Sequence, residues 1–514
     1  MTSELAAFIL YFVIMLGIGV FFFIKSKGAG EKEYFLGGRS MGPWVTALSA
    51  QASDMSGWLL MGLPGSILAF GMGQAWIGIG LAIGTALNWI FVASRLRKFS
   101  KAANDSITLP QYLTNRFLTE SKTLQIISAI VFLVFFTVYV ASGFVSGATV
   151  FTQVIPQLAG KENVALIIFA AILILYTFLG GFKAVCWTDF FQGLMMLVAL
   201  ITVPVALFFF KDLDLSNLDT VFHYADANGD LVDCAFTANP FKASWQEIAS
   251  GLAWGLGYFG MPHIIVRFMS IKSAKLVKKS AAIGIIWVVI TLGAAIMMAF
   301  FGREYIGQIL LEGGSLGNLT FEAGSQKLIF VALAKNLFPG FVAGILLSAI
   351  IAAAMSTADS QLLVASSSFT SDIYKAKIRK NASDKETLWI GRIVVIVVAV
   401  VAYFIASSKG KGAQSIMNMV ENAWGGFGSA FGPTILLSLF WKRFNYKGAV
   451  AGVVVGAVVD VVWLLWLSAP TGVYELLPGF VAGLLAAVVV TLCTKAPSKE
   501  VQDLYDRALA DVDD

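Results

Sequence analysis

Uncharged stretches of bilayer length recur along this chain, and they limit its possible folds more than any other feature. Residues 5–24 run twenty positions without a charge, and at ~1.5 Å per residue that length crosses a ~30 Å hydrocarbon core. Further candidate spans, at most one charged residue in each, follow at roughly 43–70, 76–93, 124–154, 164–179, 190–210, 248–268, 283–301, 338–366, 393–406, 417–440, 449–467 and 478–492, for a count of thirteen. In lipid a spanning segment must satisfy its own backbone polar groups, so runs of this kind predict an all-α polytopic membrane protein. Composition agrees: 58% hydrophobic residues, 13% charged residues and a mean hydropathy of +0.80 leave more apolar surface than a soluble fold can hide. The N-terminus has no basic region or small-residue cleavage site ahead of the first run, so this run is expected to stay as helix one.

The basic residues test this count. Of 36 Lys and Arg, 28 fall in one set of alternate loops: 25–39, 95–122, Lys183, 267–279, 375–392, 442–447 and 495–507. Cytoplasmic loops are enriched in these residues, so the asymmetry predicts an outside N-terminus and a cytoplasmic C-terminus in a plasma membrane, of bacterial inner-membrane type. A missed or invented helix would scramble the alternation. The net charge of +5 is spread between apolar blocks and forms no basic face for nucleic acid. Cys186, Cys234 and Cys493 are far apart and suggest neither a disulfide framework nor a zinc site. The loop 211–247 carries Asp212, Asp214, Asp219, Asp226, Asp230 and Asp233. Its DANGD stretch lacks the ligand a calcium loop needs at its twelfth position, so a solvated outer loop is expected.

Two runs are interrupted. The second contains SAQASDMSGWLLMGLPG (49–65) and the seventh contains GLAWGLGYFGMPH (251–263), with Gly, Pro and polar residues at bilayer depth. Unpaired backbone there costs several kcal/mol per group unless it lines a cavity or binds something. The breaks are five helices apart, in corresponding positions of helices two to six and seven to eleven. An odd number per block inverts the second copy, so the pattern predicts an inverted repeat with a binding site at its broken helices. Gly and Pro also kink ordinary membrane helices, which would explain either break alone.

Asp54 lies inside the second run, where a carboxylate is costly and a cation is its cheapest partner. In the ninth run, Ala353, Ser356 and Thr357 stand at i, i+3 and i+4, so one carbonyl and two hydroxyls share a face. Hard neutral oxygens suit Na+ better than Ca2+ or Mg2+, although the same hydroxyls would serve equally well to join helices. Trp254, Tyr258 and Pro262 recur at spacing four around the seventh-run break and predict an apolar wall for a small solute. No nucleophile, base and orienting group converge at a recognisable spacing, so an enzyme is not expected.

Five motifs, YFLGGRSMGPW (34–44), SAQASDMSGWLLMGLPG, FLGGFKAVCWTDFFQG (178–193), AWGLGYFGMPHIIVRFM (253–269) and AAAMSTADSQLL (352–363), run in order ahead of AWGGFGSAFGP (423–433). Together they resemble the sodium/solute symporter family, most nearly its sodium/proline symporters. The resemblance implies a leucine-transporter-type 5+5 core with one helix before it and two after, and Na+ as coupling ion with no other cofactor. It places Na+ on the backbone oxygens of Ala52, Met55 and Ala353 and the hydroxyls of Ser356 and Thr357. It implies that Asp54 acts near the ion, that Asp189 belongs to the ion pathway and that Arg39 influences coupling. Tyr139, Trp254, Tyr258 and Pro262 would line the solute pocket.

The parts expected are a first helix and cytoplasmic loop (1–41), a first repeat (42–210), an extracellular loop (211–247), a second repeat (248–440), two peripheral helices (441–494) and a cytoplasmic tail (495–514). The expected function is Na+-driven uptake of L-proline by alternating access. A sugar, pantothenate or sialic acid is the alternative cargo, and a transporter-like sensor or a channel the more distant reading. Met261 departs from a Gln of some proline carriers, which bears on the cargo and not on the ion. Glu421 adjoins the last motif and could touch the pathway, whereas Asp460 is expected in a packing or interfacial position.

Overall fold

The computed structural model describes residues 3–25, 30–213, 218, 222–225, 231–234, 236–320, 324–408 and 413–510. Among the described residues, thirteen main helical segments follow in order: α1 (Ser3–Lys25), α2 (Pro43–Asp54 and Trp58–Phe70), α3 (Met72–Ala102), α4 (Thr123–Val154), α5 (Glu162–Phe178), α6 (Gly181–Phe210) and α7 (Trp245–Ala253, Trp254–Phe259 and Pro262–Ser270). The set continues with α8 (Val277–Leu311), α9 (Gly340–Ile378), α10 (Asp384–Ser408), α11 (Ala413–Phe440), α12 (Tyr446–Thr471) and α13 (Leu476–Cys493). Among the described residues, nine of these are long and apolar enough to span on their own. The other four are the two broken helices, the short α5, and α11, which Asn418, Glu421, Asn422 and four glycines dilute. One long helix, Glu162–Phe210, carries both α5 and α6, and Gly181 at φ +63° makes the bend between them.

Burial sorts the helices into layers. In α9, 83% of the most apolar window is buried, against 22% in α12 and 28% in α1, so α9 is central while α1 and α12 face lipid. Exposed Val13, Ile90, Val198, Phe208, Ile286, Phe404, Val458 and Leu485 supply the lipid-facing surface. Small residues set the spacing inside. A Cβ on Gly255 would stand 2.3 Å from the Gly80 carbonyl oxygen, and one on Gly84 2.2 Å from the Gly255 carbonyl oxygen, so α3 and the broken part of α7 touch backbone to backbone.

Loop contacts sort by face as the charge alternation predicts. On the basic face, Lys32 pairs with Asp105, Lys375 with Glu31 and Lys442 with Asp506, while Arg97 Nε donates to the Ile271 carbonyl. On the opposite face Lys335 pairs with Glu4, the Met72 N–H donates to Thr237, and the Tyr474 N–H donates to Ser250 Oγ. Two results depart from expectation. Arg267 is not the first residue of a basic loop: it lies inside the last part of α7 and is 1% exposed, because a buried carboxylate waits for it. A small antiparallel ribbon, β1 (Phe222–Ala225) and β2 (Leu231–Cys234), stands in the loop after α6 with Phe222 opposite Cys234, outside the otherwise all-α bundle. The DANGD residues between its strands lie outside the described residues.

Candidate functional site

The α2 break begins where helical hydrogen bonding fails. Met55 still donates to Gln51, but the Ser56 N–H turns to the Asp54 carbonyl at 3.0 Å instead of to Ala52, four residues back. The Ala52 carbonyl is thereby released. It accepts the hydroxyl of Ser356 at 2.8 Å and that of Thr357 at 3.5 Å, and Ser356 also reaches the Ala353 carbonyl at 3.2 Å. Four of the five oxygens expected for Na+ therefore converge between α2 and α9. Met55, the fifth, leaves helical geometry at φ −86° and ψ 59°. These neutral oxygens are buried, and neutral oxygens fit a monovalent ion with little charge to compensate.

Asp54 stands beside them and is 5% exposed. The Tyr258 hydroxyl from α7 donates to its carboxylate, and the Tyr139 hydroxyl from α4 donates to its backbone carbonyl at 3.5 Å. The His263 ring Nε2 lies 3.0 Å from the Ser53 carbonyl, and its ring meets Phe136 and Tyr139 edge-on. The two broken helices are thus stitched together at their breaks. Pro262 opens the last part of α7 after Met261, which is extended at φ −80° and ψ 105°.

Trp254 takes a different position from the one its spacing implies. Spacing four keeps one face only in an α-helix, and Trp254–Phe259 is a 3₁₀ segment of ~3 residues per turn, which rotates Tyr258 away from Trp254. Trp254 stacks on Trp58 at 5.5 Å and on Tyr474 at 5.3 Å, while Tyr258 turns to Asp54. Trp424 bridges the two: its Nε1 donates to the Trp254 carbonyl at 2.8 Å and its ring meets Tyr258 edge-on at 5.0 Å. The Trp254 end faces a vestibule of ≈ 420 Å³, also lined by Gln74, Glu247, Met417, Glu421 and Tyr474. This vestibule opens on the face poor in Lys and Arg.

Asp189 lies on the opposite side of the break. It accepts from Ser49 at 2.7 Å and from Arg267 at 3.1 Å, and Arg267 also reaches Ser49, Ser360 and the His263 carbonyl. Asp359, buried and bonded to the Ser360 hydroxyl, adds a second acid. Sequence reasoning singled out Asp189 but passed over Arg267 and Asp359. The available signal was an ionisable residue within an apolar helix, here in HIIVRFM and STADSQ.

Arg39 closes the basic face. At φ 52° its guanidinium donates to Asp105 at 2.7 Å, Ser100 at 3.0 Å, and the carbonyls of Met269 at 2.5 Å and Ser106 at 2.8 Å. It ties the segment after α1 to the loop after α3 and the end of α7. Partial burial pushes the Asp105 carboxyl up, but Lys32 and Arg39 outweigh it and hold the group below its ordinary value. The two acids left open by the sequence also have positions: Glu421 lines the vestibule, while Asp460 is fully buried, packed against α11 and accepting from Ser429 at 2.9 Å.

Comparison with known proteins agrees with this architecture. The sequence pattern described as "Sodium:solute symporter family" matches residues 34–456. A sodium/proline symporter of Haemophilus influenzae is 43% identical, covering 98% of this chain and 97% of its own length. The high-affinity proline transporter PutP of Bacillus subtilis is 44% identical over 96% and 98%, and a sodium/proline symporter of Escherichia coli 42% over 99% and 96%. Among solved structures, a substrate-bound, outward-open Na+-coupled sialic acid symporter superposes with a TM-score of 0.75 at 21% identity, covering 97% of this chain and 99% of that one. A nucleobase-cation-symport-1 family transporter follows at 0.54 and 15%, over 92% and 98%. At these identities the likeness is one of fold.

Proposed function

The chain belongs to the sodium:solute symporter family, and on that premise we propose that it couples the inward movement of Na+ to the uptake of L-proline by alternating access. The observation that carries the reading is the Ala52 carbonyl, freed by the α2 break and held against the Ser356 and Thr357 hydroxyls, in a chain whose full-length relatives are named proline carriers. Na+ binds to the oxygens of Ala52, Met55, Ala353, Ser356 and Thr357. Proline occupies the space bounded by Tyr139, Tyr258 and Pro262, with Trp254 at its vestibule end. Because Asp54 is bonded through both Tyr258 and Tyr139, an ion that orders the α2 break also orders the solute wall. Each ligand then raises the affinity for the other by the same factor, as linkage requires.

The vestibule faces outside, the Arg39 and Asp105 side faces the cytoplasm, and the N-terminus is external. This orientation is supported by the 28 basic residues that gather in one set of loops, 27 of them without the buried Arg267. Residues 42–210 and 248–440 act as the two inverted halves, and α12 and α13 brace them. One Na+ entering down 100 mV contributes about 2.3 kcal/mol. A tenfold Na+ gradient adds about 1.4 kcal/mol, so a one-to-one carrier supports a proline gradient of roughly 500-fold. The test is labelled-proline uptake into proteoliposomes with and without an inward Na+ gradient. Uptake that ignores the gradient, or that excess unlabelled proline does not inhibit, sinks the proposal.

A further inference from the structure

Two buried amides beside the breaks are each left half satisfied. Gln51 of α2 is 0% exposed and Asn88 of α3 1%. Among the described residues neither Gln51 Nε2 nor Asn88 Oδ1 has a hydrogen-bond partner. A side chain that only filled space there would cost less if it were apolar, so each orphan atom calls for an explanation.

The satisfied halves meet on α3. Asn88 Nδ2 donates to the Tyr258 carbonyl at 3.1 Å, and the indole Nε1 of the next residue, Trp89, donates to Gln51 Oε1 at 3.1 Å. Each end has a local cause. An α-helix would bond the Tyr258 carbonyl to the N–H of residue 262, but Pro262 has none, so the donor comes from another helix. Gln51 stands in the last regular turn of α2, where its carbonyl accepts the Met55 N–H at 3.1 Å. The Trp89 ring is held by Phe268, 4.5 Å away between centroids, and by Gly284 of α8, where a Cβ would stand 2.8 Å from Nε1. Both donors open a π-helical segment of α3, Asn88–Ala93, a distortion frequent at functional sites. Successive helical residues point about 100° apart, so one of the pair reaches α7 and the next reaches α2.

We infer that Asn88 and Trp89 are positioning residues for coupling, an inference that rests on Na+-driven proline uptake. In it α3 is a strut that holds the turn bearing Met55 and the turn bearing Tyr258 in one register. Met55 is bonded to Gln51, Gln51 to Trp89, and Asn88 to Tyr258, so the contacts run in series from the ion oxygens to the solute wall. They run beside the direct bond from Tyr258 to Asp54.

The experiment is equilibrium binding of labelled proline to the purified full-length protein in lipid nanodiscs, at low and at saturating Na+. The ratio of the two dissociation constants is the coupling factor. Asn88→Leu keeps the volume without the donor, and Trp89→Phe keeps a ring without the N–H. Each is expected to lower the coupling factor by about fivefold, the worth of one neutral hydrogen bond. Contacts in series fail together, so the double variant is expected to lose no more than either single one, whereas independent contacts would multiply to about 25-fold. If Asn88→Leu does not fold, Trp89→Phe and Gln51→Met cut the strut at its other end and are expected to give the same loss. A wild type whose proline affinity ignores Na+ overturns the coupling reading, and the strut with it. A Na+-dependent wild type whose variants keep its coupling factor, or whose double variant shows the product of the single effects, overturns the strut alone.

Discussion

Replacing Ser356 by Ala should raise the Na+ concentration for half-maximal proline uptake by roughly 10- to 30-fold, because a hydrogen-bonding group facing a charge is worth ~1.5–3 kcal/mol before water partly replaces it. The structure ranks the two hydroxyls. Ser356 bridges the Ala52 and Ala353 carbonyls at 2.8 and 3.2 Å, whereas Thr357 only approaches Ala52 at 3.5 Å. Thr357→Ala should therefore cost about fivefold, near 1 kcal/mol at 1.4 kcal/mol per tenfold. Removing both leaves only carbonyls and should cost about 100-fold. Initial rates of labelled-proline uptake, measured against Na+ at saturating proline, give these values directly, and the maximal rate should recover at high Na+. Thr357→Ser retains the hydroxyl and should stay within about twofold of wild type. An unchanged Na+ dependence in both alanine variants, with normal expression, would show that the hydroxyls only join α2 to α9 and would refute the reasoning.

Three other perturbations follow from the same geometry. Tyr258→Phe removes the donor to the Asp54 carboxylate and should raise half-saturating proline by about 10-fold or more, read in competition assays at fixed Na+. Arg267→Gln strands Asp189 beside Asp359 in the core and should cost ~3–5 kcal/mol of stability, seen as a lower thermal midpoint in detergent. Asp189→Asn with Arg267→Gln should recover part of that loss. Arg39→Ala severs every tie its guanidinium makes on the basic face and should speed amide exchange around residues 100–108 by about tenfold. Because the Asp105 carboxyl is held below its ordinary value, its ties to Lys32 and Arg39 should persist throughout the neutral range. Their contribution should be lost only as the pH falls below about 4, through the depressed folded value.

The spans, their alternation and the two breaks were legible because bilayer length, Lys and Arg placement and Gly–Pro interruptions are local properties of the chain. That Ser356, Thr357 and Ala353 share one face was legible for the same reason, since helical spacing alone puts them there. The face expected to form a solute wall was harder. A spacing of four holds in an α-helix, but the 3₁₀ turn at Trp254–Phe259 moved Trp254 to the vestibule and Tyr258 to Asp54. Arg267 could not be told from a loop residue by position, because the carboxylate that draws it inward lies 78 residues away on another helix. Asp460 looked peripheral because its helix is largely lipid-facing, yet its side chain is buried and bonded to Ser429 of α11.

Coupling runs in both directions, so a solute gradient must be able to move the ion. Proteoliposomes loaded with equal Na+ on both sides and clamped at zero potential isolate that effect. An inward proline gradient should then drive net accumulation of radioactive Na+, and Ser356→Ala with Thr357→Ala should abolish the accumulation at moderate Na+. Na+ movement that is indifferent to proline, in a preparation that still transports proline, would contradict the account.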